Sequence, residues 1–130
     1  MDDATRNTVR RRAGNRCEYC ARHQDESPLT PLQIEHIRPK KHRGGDNLEN
    51  LALACINCNL YKGSDIAGYD PQTGELTPLF NPRTQDWSEH FEWRWSLILG
   101  KSAIGRTTID VLRLNSAPRI RLRIASWKEY

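Results

Sequence analysis

The residues able to do chemistry in this 130-residue chain crowd into one stretch, Ile34 to Lys62. An acid sits beside a histidine (Glu35-His36), followed by a basic, glycine-containing loop (Arg38-Pro-Lys-Lys-His-Arg-Gly-Gly45) and Asp46-Asn-Leu-Glu-Asn-Leu51. The stretch closes on Cys55-Ile-Asn-Cys-Asn59 and Lys62. Few structural reasons collect carboxylate, imidazole, amide and thiol groups in so short a span. A metal-dependent hydrolytic site needs all but the thiols, and a zinc knuckle supplies those.

With the upstream pair Cys17/Cys20, the cysteines Cys55 and Cys58 complete two C-x-x-C units, the ligand number and spacing of a tetrahedral structural zinc (Zn2+). Two disulfides are the competing arrangement. The N-terminus lacks the apolar core of a secretion signal, which favours metal. His23, three residues past Cys20, is read as a surface histidine because four thiolates already fill a tetrahedral site. No apolar run approaches the roughly 20 residues of a membrane span, so the chain is expected to be soluble and cytoplasmic.

Twenty basic and 16 acidic residues give a net charge of +4, and the basic residues cluster. Arg6, Arg10, Arg11, Arg12 and Arg16 form one group; Arg38, Lys40, Lys41 and Arg43 a second; Arg119, Arg121 and Arg123 a third. Such groups can converge on a phosphate-binding face, although any one of them equally suits a solvated surface. Only the second lies inside the chemical stretch.

The elements that must position these residues follow from pattern. Asp2 or Asp3 caps a first helix with Val9 and Ala13 as its buried stripe and Gly14 as its stop. Leu32 to Ile37 alternates as a short strand, with Leu32, Ile34 and His36 on one face and Gln33, Glu35 and Ile37 on the other. Neighbours on a strand cannot share one apolar core, so Glu35 or His36 must serve a polar purpose. Gly44 and Gly45 turn the loop, Leu51 to Cys55 returns as a strand, and a helix beginning near Cys58 carries Asn59 and Lys62. Further on, Tyr69 to Glu75 is the tip of a hairpin whose second strand is Leu76 to Phe80. Phe91, Trp93, Trp95, Leu97 and Leu99 alternate as one strand with an aromatic inner face, and His90 is expected to be a partly buried, hydrogen-bonded histidine. Thr107 starts a helix running through Leu114 that Asn115 terminates. Ser116-Ala-Pro118 can start a last helix, although Ile120 to Ile124 fits a strand about equally well, and the spacing of Ile120, Ile124 and Trp127 favours helix. With 37% hydrophobic residues and no linker, one domain is expected, 1–130: a core at 17–64 and a C-terminal extension at 65–130 packed on it.

Strand, loop, strand and helix in this order make a ββα-metal arrangement of α+β class. Glu35-His36-Ile37-x-Pro39, Gly44-Gly45-Asp46-Asn47-Leu48, Asn50-Leu51, Cys55-x-x-Cys58-Asn59 and Lys62 together resemble the HNH endonuclease family, and Cys17-x-x-Cys20 resembles its zinc-bearing branch. Asn59 stands where the family name has a final histidine, and Glu35 where aspartate is commoner. The resemblance implies an endonuclease hydrolysing phosphodiester bonds of DNA, with RNA an open alternative, and leaving 5′-phosphates. It implies His36 as general base, Glu35 and Asn59 holding one Mg2+ or Mn2+ ion, and Asn50 fixing the loop so that His36 meets the phosphate. Lys40, Lys41, Arg43 and Lys62 would bind the nucleic-acid backbone. The alternative is a non-catalytic, zinc-stabilised nucleic-acid-binding module.

Overall fold

The computed structural model describes residues 1–127. Helix α1 (Asp3–Arg12) starts where the Asp2 carboxylate accepts the Thr5 backbone N–H at 2.8 Å and ends before Gly14 in a left-handed turn, φ 62°. Its one fully buried residue is Val9, with Ala13 packed beside it. Strands β1 (Gln33–His36) and β2 (Leu51–Ala54) pair antiparallel, Gln33 opposite Ala54 and His36 opposite Leu51. Helix α2 (Ile56–Lys62) follows directly, its first turn capped by the Cys55 sulfur. All four β2 residues are buried, so this strand anchors the ββα unit between α1, α2 and the Cys knuckle.

The second half adds hairpin β3 (Ala67–Tyr69) with β4 (Leu76–Pro78), a one-turn helix α3 (Trp87–His90), hairpin β5 (Phe91–Arg94) with β6 (Leu97–Gly100), and helices α4 (Ala103–Leu112) and α5 (Ala117–Trp127). This is an α+β fold built from three two-stranded hairpins and helices. One apolar cluster runs from Val9 through Tyr19, Leu53 and Phe80 to Leu114. Polar links reinforce it: Trp87 Nε1 donates to the Tyr19 carbonyl at 2.9 Å, and Arg83 pairs with Glu18.

Three sequence expectations change here. The run 91–99 is a hairpin rather than one strand: Arg94 pairs with Leu97, and Trp95 makes the turn at φ 49°. The aromatic stripe is therefore largely outside, with Trp93 40% and Trp95 72% exposed, while Phe91 and Ile98 face the core. Helix α4 begins at Ser102, whose hydroxyl caps the Gly105 N–H at 3.0 Å, so Thr107 and Thr108 are interior helical residues. That start needs Gly105, because a Cβ there would lie 2.0 Å from the His90 carbonyl oxygen. The α4 terminus is Arg113 in a left-handed conformation rather than Asn115, whose side chain instead bridges both backbone groups of Ile98. His90 is partly buried and bonds Ser102 Oγ at 2.7 Å, and 117–127 is helical.

Candidate active site

The loop between β1 and β2 is held by the Asn50 side chain. Its Oδ1 accepts the Arg38 N–H at 2.8 Å, and its Nδ2 donates to the carbonyls of Arg38 and Gly45, each at 2.9 Å. Gly44 is obligatory there, since a Cβ would fall 1.6 Å from the Arg38 carbonyl oxygen; the left-handed position beside it is filled by Arg43. The stapled loop brings Asp46 back onto the end of β1, where its Oδ1 lies 2.7 Å from His36 Nε2. The His36 hydrogen bond, with Lys40 adding to it at 3.7 Å, holds the Asp46 carboxyl below its ordinary range. A carboxylate only accepts, so Nε2 carries the proton and Nδ1 keeps a free lone pair, a tautomer assigned from the partner. With 22% of its side chain exposed, His36 is reachable from solvent.

The opposite face of β1 is closed. Glu35 is 4% exposed and gives one oxygen to the Tyr19 hydroxyl and the other to Lys62 Nζ at 3.1 Å. The Lys62 ammonium also donates to the carbonyls of His36 (3.2 Å) and Ile37 (3.0 Å), using all three of its protons. Burial raises the Glu35 carboxyl above its usual value, against the opposing pull of the Lys62 charge and the Tyr19 hydrogen bond. Two expectations are corrected by this packing. Lys62, 2% exposed, clamps α2 to β1 with all three ammonium protons and so is no free, exposed phosphate contact, although it lines part of a groove beside the loop. Glu35 has no oxygen open to a divalent ion, so the pair Glu35 and Asn59 does not fit that ion in this arrangement. Asn59 sits on the same side of the strand, its Nδ2 donating to Gln33 Oε1 at 2.5 Å.

Of the remaining expected phosphate contacts, Lys40, Lys41 and Arg43 are exposed on the loop, Lys40 leaning toward Asp46. The flanking basic groups are partly internal. Arg10 donates to the Leu32 carbonyl at 2.9 Å and Arg12 to that of Leu48 at 2.8 Å, fastening α1 to the ββα unit. Arg119 and Arg123, each 7% exposed, are not phosphate contacts either: Arg123 donates to the carbonyls of Ser96 and Leu114 at 2.7 and 2.6 Å.

Arg119 meets the cysteine cluster. The sulfurs of Cys17, Cys20, Cys55 and Cys58 lie within 4.8 Å of one another, all buried, and Arg119 Nη2 approaches Cys58 Sγ at 3.0 Å and Cys55 Sγ at 3.6 Å. Four converging sulfurs are the donor set of a structural zinc, and a buried guanidinium suits the surplus negative charge of four thiolates. Burial works against the Arg119 charge, but the thiolates of Cys58, Cys20 and Cys55 outweigh it and raise its pKa. Burial likewise pushes the Cys17 and Cys58 thiols up, while bonds from neighbouring thiols draw Cys20 and Cys55 down. His23 stands apart, its ring nitrogen capping a short turn through the Asp25 N–H at 3.0 Å.

Residues 17–65 match the family model described as HNH endonuclease. This segment belongs to the HNH endonuclease family. The chain is also 31% identical over 110 residues to Septu protein PtuB of Bacillus thuringiensis, a match covering 83% of this chain and 40% of that protein. The chain thus spans about two fifths of the length of the curated relative it matches. No solved structure matches it. Family membership supports nuclease-type chemistry for the HNH segment. Among the described residues, no helix is long and apolar enough to cross a membrane.

Sequence reasoning passed over Asp46 and Tyr19 as partners, and Arg119 as a neighbour of the HNH cysteines. Asp46 left a signal: it follows Gly44-Gly45, a turn able to return it toward His36. Arg119, 61 residues from Cys58, left none.

Proposed function

We propose that this chain is an endonuclease hydrolysing phosphodiester bonds of DNA, with RNA as an open alternative, and that His36 is its general base. The observation that carries the reading is the His36–Asp46 contact at 2.7 Å beside an exposed basic loop. Asp46 holds the ring so that Nδ1 can take a proton from an attacking water. Lys40, Lys41 and Arg43 bind backbone phosphates and orient the strand without reading its sequence. Asn50 acts through the loop, keeping His36 and Asp46 in register. Four thiolates saturate a zinc, so the cysteine centre serves the fold and not the reaction.

Phosphodiester hydrolysis in this family resemblance also calls for Mg2+ or Mn2+ on the phosphate. Asn59 retains an amide oxygen suited to such an ion, whereas Glu35 is taken by Lys62 and Tyr19. That closed carboxylate favours the second reading, a zinc-stabilised binding module without catalysis. The two separate in one assay: purified full-length chain, with Mg2+ or Mn2+, against supercoiled plasmid, labelled single strand and RNA. Metal-dependent nicking or cutting of any of them supports the endonuclease. Binding without cleavage of all three under both metals would leave the binding module standing and remove the enzyme.

A further inference from the structure

Beside the β1–β2 loop lies a groove of about 790 Å3, lined by loop residues but not by His36 or Asp46, whose far wall the catalytic reading leaves without an assignment. One wall is the loop, with Arg38, Lys41 and Arg43; the other is the segment after β4, with Asn81, Thr84 and Gln85. The floor is apolar, including Ile37, Ile66 and Leu79.

The charge around this groove is one-sided. No aspartate or glutamate lines it, and Arg38, Lys41 and Arg43 are all exposed and form no ion pair among the described residues. The far wall complements them by donor accounting. Asn81 Oδ1 accepts the Arg83 N–H at 2.8 Å and Gln85 Oε1 accepts the Asn81 N–H at 2.9 Å, so the turn consumes the amide oxygens. Among the described residues, the two amide NH2 groups and the Thr84 hydroxyl of this wall are left without a side-chain or backbone partner. Cations on one side and N–H donors on the other, above an apolar floor, suit a chain of anionic oxygens carrying flat apolar groups.

We infer that this groove holds one sugar-phosphate strand of the nucleic acid, phosphates toward Arg38, Lys41 and Arg43, and that segment 81–85 of the C-terminal half is its second wall. This rests on the nucleic-acid reading above and deepens it. It gives the extension a role in holding substrate, and it predicts that strand binding depends on residues outside the HNH segment.

The test measures affinity of the full chain, carrying His36→Ala so that nothing is cut, for a fluorescein-labelled single strand and its duplex between 50 and 200 mM salt. Thr84→Glu puts a carboxylate on the far wall at an exposed site. Leu29→Glu adds the same charge at a residue 96% exposed that does not line the groove. Thr84→Glu should weaken single-strand binding on the order of ten-fold, because like charges meet across the contact. Leu29→Glu should stay within about two-fold, since an exposed distant charge is screened. Thr84→Lys should tighten binding. Lys41→Ala should lower the slope of log affinity against log salt by about 1. If Thr84→Glu binds like Leu29→Glu while Lys41→Ala still weakens binding, the loop contacts nucleic acid and the second wall is wrong. If Thr84→Glu is misfolded by circular dichroism, the comparison passes to Thr84→Lys, and unchanged affinity there overturns the inference. If the His36→Ala parent binds neither oligonucleotide at 50 mM salt, the nucleic-acid reading fails and the groove assignment falls with it.

Discussion

Replacing Lys62 with methionine keeps the aliphatic stem and removes the ammonium, which isolates what the buried Glu35–Lys62 pair contributes. Lys62 is 2% exposed and Glu35 4%, so neither charge is rescued by solvent. Removing one partner of such a pair leaves an uncompensated buried charge, costing about 3–5 kcal/mol. The carbonyls of His36 and Ile37 lose a donor as well, at about 1 kcal/mol or more each. Together these should lower the thermal midpoint by roughly 20–25 °C for a chain of this size. Burial already raises the Glu35 carboxyl, and without Lys62 the rise grows. A carboxyl raised in the folded state favours folding on the acid side and loses that contribution as pH climbs through its folded value. Lys62→Met should therefore be most stable in mild acid and lose stability toward neutrality more steeply than wild type. Adding Glu35→Gln removes the stranded charge while leaving an oxygen for Tyr19, so the double variant should recover at least about 2 kcal/mol, read as coupling in a double-mutant cycle. Thermal and urea unfolding followed by circular dichroism measure wild type, Lys62→Met, Glu35→Gln and the double variant. A Lys62→Met midpoint equal to wild type at neutral pH, or a double variant no more stable than Lys62→Met, would refute the clamp.

Cys55→Ser should take the zinc content from about one ion per chain to near none by elemental analysis, with loss of the folded circular dichroism signal, because structural zinc binding is folding free energy; a folded, zinc-free variant would contradict this. Arg106, bonded to both Asp70 oxygens at 3.1 and 2.8 Å, holds that carboxyl well below its usual range. A depressed carboxyl stabilises above its unfolded value and loses this as pH falls toward its folded value, so Asp70→Asn should flatten the acid limb of stability against pH; an unchanged limb counts against the pair. Asp46→Ala should reduce kcat on the order of 10²-fold with KM nearly unchanged, since it loosens the His36 ring without touching substrate, and a pure KM effect would reassign Asp46 to binding.

The ββα unit was legible because its signals were local. Alternation over 32–37, the Gly-Gly turn, the apolar run 51–54 and the C-x-x-C spacing each fix a short element, and each stands where the pattern puts it. The pleat even forces Glu35 and His36 to opposite faces, yet it cannot say what packs on either face. That depends on Tyr19 and Lys62 meeting Glu35 from segments 16 and 27 residues away, so a lysine that looks like a phosphate contact is instead an interior clamp. The same holds for Arg119 and Arg123: charge in a sequence reads as surface, and only the packing of α5 against the cysteines and the carbonyls of Ser96 and Leu114 turns it inward. The β5–β6 hairpin was hidden because its turn is Trp95-Ser96, without the glycine or asparagine that usually marks a left-handed position. At α4, Thr107-Thr108 imitates a helix start, but Ser102 lies one turn earlier and has the free Gly105 N–H to cap. Thr108 meanwhile is occupied inside, accepting the Phe80 N–H at 2.9 Å.

The central claim, that His36 is the base of a nucleic-acid hydrolase, is tested most directly by comparing His36→Ala with wild type in a plasmid-nicking assay with Mg2+ or Mn2+, with folding, zinc content and DNA affinity measured on the same preparations. The variant should remain folded, keep its zinc and bind DNA as before, while its cleavage rate falls by roughly 10²- to 10⁴-fold, the contribution of a positioned general base. Cleavage by His36→Ala at the wild-type rate would contradict the assignment.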